Sequence, residues 1–288
     1  MIITCNLRGG LGNQLFQIYT TIAQAYDINS SFFFPNVYEL KGSVTNRYTY
    51  WDSFFSNLKP FLLDPLLVDK NNIVVLKEKA FTYNTIQFPV SLPLHILDKK
   101  IFMLQGYYQS PKYFDMYFQT INKLLKIDEI KVKLTNKYFQ LINEDSLVSM
   151  HFRLGDYKKL PEHYVILSID YYRAALNRIL IANKLTKVLY FCEEPDLEEV
   201  EAIIAILKTE FSMLTFVRAD PDLEDWEQLI LMSLCRHNII ANSTFSWWGA
   251  YLNIYKQKMV VCPSAWFGIK LEQSHLLKDL YPDKWIKI

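Results

Sequence analysis

The sequence predicts an α/β protein built on parallel sheets, and three observations predict it. Through the second half of the chain, apolar strand-like runs alternate with helical periods across short connections, as in a parallel sheet with crossover helices. The N-terminus opens as strand, glycine-rich turn and helix. Hydrophobic residues make up 51% of the 288 positions, enough to fill one large core or two domains of about 140 residues each. Two α/β halves with a cleft between them, residues 1–145 and 146–288, are the simplest arrangement. The boundary is expected near residues 143–147.

Met1 to Leu7 reads as a strand and Arg8 to Gln14 as a loop. Apolar residues at Leu15, Ile18, Tyr19, Ile22, Ala23 and Tyr26 predict a helix over 15–26. Phe32 to Pro35 is a second short strand. From Asn36 to Lys100 no period dominates; aromatics (Tyr48, Tyr50, Trp51, Phe54, Phe55) and prolines predict loops with short helices. A strand is expected over 101–107, and helices over 111–125 and 129–143. The second half predicts strands over 147–152, 187–192, 213–218, 238–241 and 258–262, with helices over 170–184, 197–208, 225–235 and 246–255. The tail from Tyr281 to Ile288, with Trp285, is expected to pack back on the first half.

Composition excludes several classes. The formal charge is +1, from 31 basic and 30 acidic residues, which argues against broad nucleic-acid or membrane-surface binding; an anion grip must be local. Cys5, Cys192, Cys235 and Cys262 are scattered without C-x-x-C spacing, so neither zinc nor a disulfide framework is expected, and a reducing compartment fits. The N-terminal residues lack a basic and a long apolar region, and no run approaches the roughly 18 apolar residues of a membrane span. A soluble, cytoplasmic protein is expected, with peripheral membrane contact left open.

Three segments carry candidate chemistry. The first is His151-Phe152-Arg153-Leu154-Gly155-Asp156-Tyr157, which follows the buried-strand run Ser146 to Met150. In an open α/β sheet, ligands sit beyond the carboxyl ends of the strands. A guanidinium there suits a phosphate, because its fork of donors matches phosphate oxygens. The bland alternative is a surface pair of Arg153 with Asp156, worth little by itself. The second segment is Arg8 to Gln17, where Gly9, Gly10 and Gly12 can expose backbone N–H groups to a ligand. Its spacing is neither a P-loop nor a dinucleotide fingerprint. Asn13 there either caps the helix or contacts a sugar or phosphate. The third is Ala241 to Ala250, in which Asn242, Ser243, Thr244, Phe245 and Ser246 lead from a strand into a helix. A capped helix start is an anion site, and Trp247 and Trp248 are read as packing. Glu162, His163, Asp156 and Asp170 are candidates for a general base. Glu193, Glu194 and Asp196 are read as a solvated helix start rather than a metal cluster. Asp225 and Glu227 are placed to read a base edge or to sit on the surface.

Together these segments resemble the inverting α-1,2-fucosyltransferases of glycosyltransferase family 11, over nearly the whole chain. Gly9 to Gln17 (G-G-L-G-N-Q-L-F-Q) matches that family's N-terminal motif, and His151 to Tyr157 is similar to its H-x-R-R-G-D-Y motif. Leu231 to Leu252 is very close to its C-terminal motif, and the tail P-S-A-W-F…W-I-K-I also fits. The resemblance implies a GT-B fold, two Rossmann-like domains facing a cleft, the first on the acceptor side and the second binding the GDP-sugar. It implies transfer of L-fucose from GDP-β-L-fucose to a sugar hydroxyl of an oligosaccharide or glycoconjugate, as a galactoside 2-α-L-fucosyltransferase, with no cofactor and no metal. By the same resemblance, Arg153 grips the donor diphosphate and Ser243, Thr244 and Phe245 bind phosphate. Asn13, beside Gly10 and Gly12, approaches the phosphate and the transferred sugar. His151 and Asp156 shape the arginine and nucleotide site. The motif's second arginine is Leu154 here; strand alternation predicts that it points away from Arg153. The rival readings are the same fold with another GDP-hexose or linkage, and a catalytically silent sugar-nucleotide-binding protein.

Overall fold

The structure is a computed structural model that describes residues 1–40, 46–89, 100–142 and 146–288. The chain forms two compact units, residues 1–128 with 274–282, and residues 129–273 with 283–288.

The first unit is built on a four-stranded sheet. Its strands are β1 (Ile2–Cys5), β2 (Ser31–Phe32), β3 (Ile73–Lys77) and β4 (Ile101–Gln105). They lie in the order β2-β1-β4-β3, all parallel. Helix α1 (Leu11–Asp27) follows β1 and starts four residues earlier than its apolar spacing predicts. The reason is local. The first N–H groups of a helix have no intrahelical partner, so glycine is tolerated there, and Gly10 rather than Asn13 is the N-cap. Gly9 turns the chain into the helix at φ +77°, and a Cβ on it would lie 2.4 Å from Nδ2 of Asn13.

Two expectations for this unit change. The region read as loops holds β3, a half-exposed strand at the sheet edge, besides short 3₁₀ turns; the parts over 41–45 and 90–99 lie outside the described residues. The expected helix over 111–125 is two 3₁₀ turns, Pro111–Tyr113 and Asp115–Tyr117, leading into α2 (Phe118–Leu125). Phe114 separates the two turns at φ −142°, because its buried ring packs against Phe16 and Tyr19 of α1.

The second unit starts within α3 (Ile127–Lys137), which a short α4 (Phe139–Ile142) follows. The division thus falls at 128/129 rather than near 143–147, where residues 143–145 lie outside the described residues. Lys131 of α3 donates Nζ to the carbonyl of Leu252 at 2.5 Å, tying the helix to this unit. The sheet has six strands: β5 (Leu147–His151), β6 (Lys187–Phe191), β7 (Thr215–Arg218), β8 (His237–Ile239), β9 (Val260–Cys262) and β10 (Ile286–Lys287). Helices α5 (Ile169–Leu180), α6 (Leu197–Glu210), α7 (Asp225–Leu234) and α8 (Thr244–Tyr251) alternate with them. The order is β7-β6-β5-β8-β9-β10, all parallel.

Side chains alternate along the central strands, so each sheet face has its own core. Val148, Met150, Val188 and Tyr190 pack with Tyr172 and Leu176 of α5 and Val200 and Ile204 of α6. Leu147, Leu189 and Phe191 pack with Leu231 and Met232 of α7. Burial on both faces explains why β5 is mostly apolar, with Ser149 and His151 as its buried polar positions. The expected return of the tail is divided. Residues 274–282 belong to the first unit, where Asp279 accepts hydrogen bonds from Tyr83 N and Lys112 Nζ. Residues 283–288 belong to the second, where Trp285 packs on Trp247 at 5.4 Å and β10 extends the sheet.

Candidate functional site

By position in its own unit, the second sheet runs 3-2-1-4-5-6. In that topology the crossovers from the first and fourth strands leave on opposite faces, and a crevice opens beyond their carboxyl ends. Here those strands are β5 and β8. The residues just past them are His151 to Tyr157 and Asn242 to Thr244, so two of the three candidate segments converge at the switch point.

The first segment is sorted by side-chain direction. Phe152 and Leu154 enter the apolar core, and Arg153 between them faces the polar side. Leu154 therefore points away from Arg153, as alternation predicts. The guanidinium bridges two carboxylates: Nη2 donates to Asp156 Oδ1 at 2.6 Å and Nη1 pairs with Glu193. It also lies over the ring of Tyr157, 5.2 Å from the centroid. Burial opposes its charge, but Glu193, Tyr157 and Asp156 outweigh burial and raise its pKa. The surface pairing of Arg153 with Asp156 is thus present, with Glu193 as a second partner. His151 is buried, its Nδ1 has no hydrogen-bond partner among the described residues, and its ring packs against Phe245 at 5.5 Å. Burial, with Arg153 nearby, pushes its pKa down to about 3, so the imidazole is neutral.

The acidic turn after β6 is the component that sequence reasoning missed. It was read as a solvated helix start, yet its carboxylates hold the arginine segment. Asp196 is buried, accepts the Gly155 N–H at 2.6 Å and pairs with Lys158 at 3.0 Å. Glu193 pairs with Arg153, and Glu194 with Arg218 at the end of β7. Gly155 makes the approach possible: at φ +28°, an added Cβ would sit 2.6 Å from Glu193 Oε2. The signal was in the register. Phe191 pairs with His151, which sets residue 193 level with residue 153.

The third segment delivers a capped helix. Ser243 is the N-cap of α8, its Oγ accepting from Phe245 N at 3.4 Å, and Ser246 Oγ accepts from Ala241 N at 3.2 Å. Thr244 and Phe245 are half-buried on the first turn. Asn242 is anchored within its own unit: its Nδ2 donates to the carbonyls of Val165 and Trp266 at 2.8 and 2.9 Å. It ties down the chain around the site, and its own carbonyl accepts from Tyr157 Oη at 2.9 Å. That bond joins the first and third segments. Trp247 and Trp248 are fully buried, as expected of packing residues.

Glu227 closes a capping box with Glu224 at the start of α7 and pairs with Lys137 at 3.2 Å, a helix-start role rather than an open base-reading one. Asp225 accepts from Trp226 N at 2.8 Å in the same turn. Asp170 and Glu162 are exposed and paired with Arg173 and Lys270. His163 is half-buried, and its carbonyl accepts from Gly268 N at 2.8 Å. In the first unit, Asn13 lies in the first turn of α1, and its Oδ1 accepts from Gln109 Nε2 at 2.8 Å. Gly12 is buried in that turn, and a Cβ on Gly10 would meet open space. Gln17 holds Arg8 by both backbone groups, at 2.9 and 3.0 Å. The four cysteines are free thiols. No group of three or more His, Cys, Asp or Glu residues among those described is placed to hold a metal ion, and no helix among them is long and apolar enough to cross a membrane.

An arginine and a capped helix N-terminus at the switch point of a doubly wound sheet lie where α/β proteins commonly bind phosphorylated ligands. Comparison with known proteins makes the assignment narrower. A family model described as "Glycosyl transferase family 11" matches residues 2–288, and the chain belongs to that family of glycosyltransferases. It is 26% identical over 320 residues to an alpha-1,2-colitosyltransferase of Escherichia coli, covering 100% of this chain and 99% of that protein. It is 30% identical over 197 residues to the O-antigen biosynthesis glycosyltransferase WbnK of Escherichia coli; that match covers 66% of this chain and 62% of WbnK. Among solved structures, a mutant of Arabidopsis thaliana FUT1 in complex with GDP superposes with a TM-score of 0.53 at 11% identity, covering 90% of this chain and 69% of that one. The fold is of GT-B type, two units each built on a parallel sheet.

Proposed function

We propose that this glycosyltransferase moves L-fucose from GDP-β-L-fucose to a sugar hydroxyl with inversion, forming an α-1,2 linkage to galactose, without a metal ion. The observation that carries the reading is Arg153 at the switch point, joined through Tyr157 and Asn242 to the capped start of α8. Breaking the sugar–phosphate bond leaves charge on a diphosphate oxygen. Donors fixed where that charge develops lower the barrier. The Arg153 fork and the N–H groups of α8 supply such donors with their geometry already set. In this reading Asp156 holds the guanidinium in orientation, and neutral His151 keeps a second charge away from it. Asn13 and the N–H groups by Gly10 and Gly12 serve the transferred sugar. The acceptor hydroxyl must lose a proton; His163, half-buried beyond the arginine segment, is the proposed base. We place the enzyme in the cytoplasm, acting on an oligosaccharide or glycoconjugate.

One finding favours a second donor. The relative matched over its full length is named a colitosyltransferase, and colitose is fucose without its 3-hydroxyl. A panel of GDP-L-fucose, GDP-colitose and GDP-mannose with galactose-terminated acceptors, followed by linkage determination of the product, decides between them. Turnover of GDP-fucose to an α-1,2-linked product is expected. Preference for another donor, or another linkage, overturns the specific reading. Activity that disappears with a chelator and returns with Mg²⁺ or Mn²⁺ overturns the metal-free one.

A further inference from the structure

We infer that Glu193 is an internal counter-anion which occupies Arg153 in the absence of donor and must leave it when a diphosphate binds. The inference rests on the reading of Arg153 as the diphosphate grip, and it adds a device that sets how tightly the nucleotide is held.

Arg153 supplies one positive charge, and Asp156 and Glu193 both contact its guanidinium. The three groups together are therefore net negative, the wrong sign for receiving a diphosphate. At short range, like charges oppose binding strongly unless one is removed or neutralised. One of the two carboxylates has to give way.

Position tells which one. Asp156 lies three residues from Arg153 on the same turn and is the more covered of the two, with 29% of its side chain exposed against 46% for Glu193. Glu193 comes from the neighbouring strand's end and reaches the guanidinium from the solvent side. The turn that carries it is pinned independently. Asp196 holds the Gly155 N–H and Lys158, and Glu194 holds Arg218. Glu193 can therefore rotate off Arg153 while its turn stays in place. Gly155 supplies the space: its missing Cβ leaves the slot in which Glu193 Oε2 rests, 2.6 Å from where that atom would be. Thus Asp156 orients the arginine permanently, and Glu193 exchanges with phosphate. After transfer, return of Glu193 to Arg153 competes with GDP and speeds its departure.

The carboxylate is partly exposed, so the competition is modest. An ion pair of this kind is worth about 0.2–1 kcal/mol, which is at most roughly a five-fold change in an equilibrium constant. The experiment is calorimetric titration of the full chain with GDP, for the native protein, Glu193→Gln, Glu193→Asp and Arg153→Ala. Glu193→Gln removes the charge and keeps the shape; Glu193→Asp keeps the charge but shortens its reach to the guanidinium. Both are expected to bind GDP more tightly than the native chain, by up to about five-fold, and to be inhibited by lower GDP during turnover. Mere loss of a structural contact would loosen binding instead. Unchanged or weakened GDP binding in both Glu193 variants, with Arg153→Ala binding poorly, overturns the counter-anion role and leaves the diphosphate grip standing. GDP binding unaffected by Arg153→Ala overturns the grip and the inference with it.

Discussion

Replacing Arg153 by lysine keeps a positive charge at the end of β5 and removes the planar fork. In the native chain the guanidinium satisfies Asp156 at 2.6 Å and Glu193 at the same time while lying 5.2 Å above the centre of the Tyr157 ring. A lysine ammonium is a single point of donation on a flexible stem. It cannot hold Asp156 and a phosphate oxygen in one plane, so at least one charge-assisted hydrogen bond to the nucleotide is lost. Such a bond is worth about 1.5–3 kcal/mol, which corresponds to GDP binding weaker by about 10- to 150-fold. Alanine removes the charge as well and leaves two carboxylates facing the diphosphate, so its loss is at least as large. Turnover falls further, since a preorganised donor contributes about 10²–10³ in rate. Calorimetric GDP titration gives the first quantity and initial rates with GDP-fucose give the second, with a thermal melt to establish that each variant is folded. A folded Arg153→Lys protein whose GDP affinity and rate both stay within two-fold of the native values would refute the argument.

Other perturbations test the scaffold around the site. Asn242→Ala deletes two hydrogen bonds, a part-buried one to Val165 and a buried one to Trp266, and should cost about 2–3 kcal/mol in urea unfolding; a loss under 0.5 kcal/mol would mean that the loop does not depend on it. Ser243→Ala removes the α8 cap and should cost about 1 kcal/mol, with glycine at that position losing only a few tenths; equal losses for the two would remove the capping argument. The pKa of His151 is held near 3 and that of His237 near 4, both chiefly by burial. The unfolded chain takes up those protons near pH 6.5 and the folded chain only at much lower pH. Stability should therefore fall by about 1.4 kcal/mol per pH unit for each histidine as pH drops below 6.5, and these groups should contribute no slope above it. Urea melts of the native chain and a His151→Asn variant between pH 4 and 8 measure this, and identical slopes for the two proteins would contradict it.

The second unit was largely legible because its strands are buried on both faces. A strand such as β5, packed between α5 and α6 on one side and α7 on the other, is mostly apolar, with Ser149 and His151 as exceptions, and that pattern is visible in one dimension. Every strand and helix of the sheet expected there exists, with ends shifted by a few residues. β3 was invisible for the opposite reason: an edge strand with half its surface in solvent carries no strong pattern. The helix over 111–125 was over-extended because its apolar spacing was read without the steric demand of Phe114, whose ring is pulled into the core. Among the candidate site residues, the pairing of Arg153 with Asp156 and the Ser243 cap were legible from local chemistry. Glu193 was not, because forty residues separate it from Arg153 and only strand pairing makes them neighbours.

The sequence by itself determined the strands and helices of the second sheet apart from β10, the arginine past the end of β5, and the capped helix start at Ser243, because propensity, burial and capping act over a few residues. Only the tertiary structure decided the strand order, and with it that β5 and β8 adjoin and place Arg153 and Ser243 in one crevice. It alone decided that Asn242 is a tether, that Glu227 closes a helix start, and that the acidic turn after β6 is a clamp and a counter-charge. These depend on which strand lies beside which and in what register, and that is set by the packing of whole faces, which no short window of residues contains.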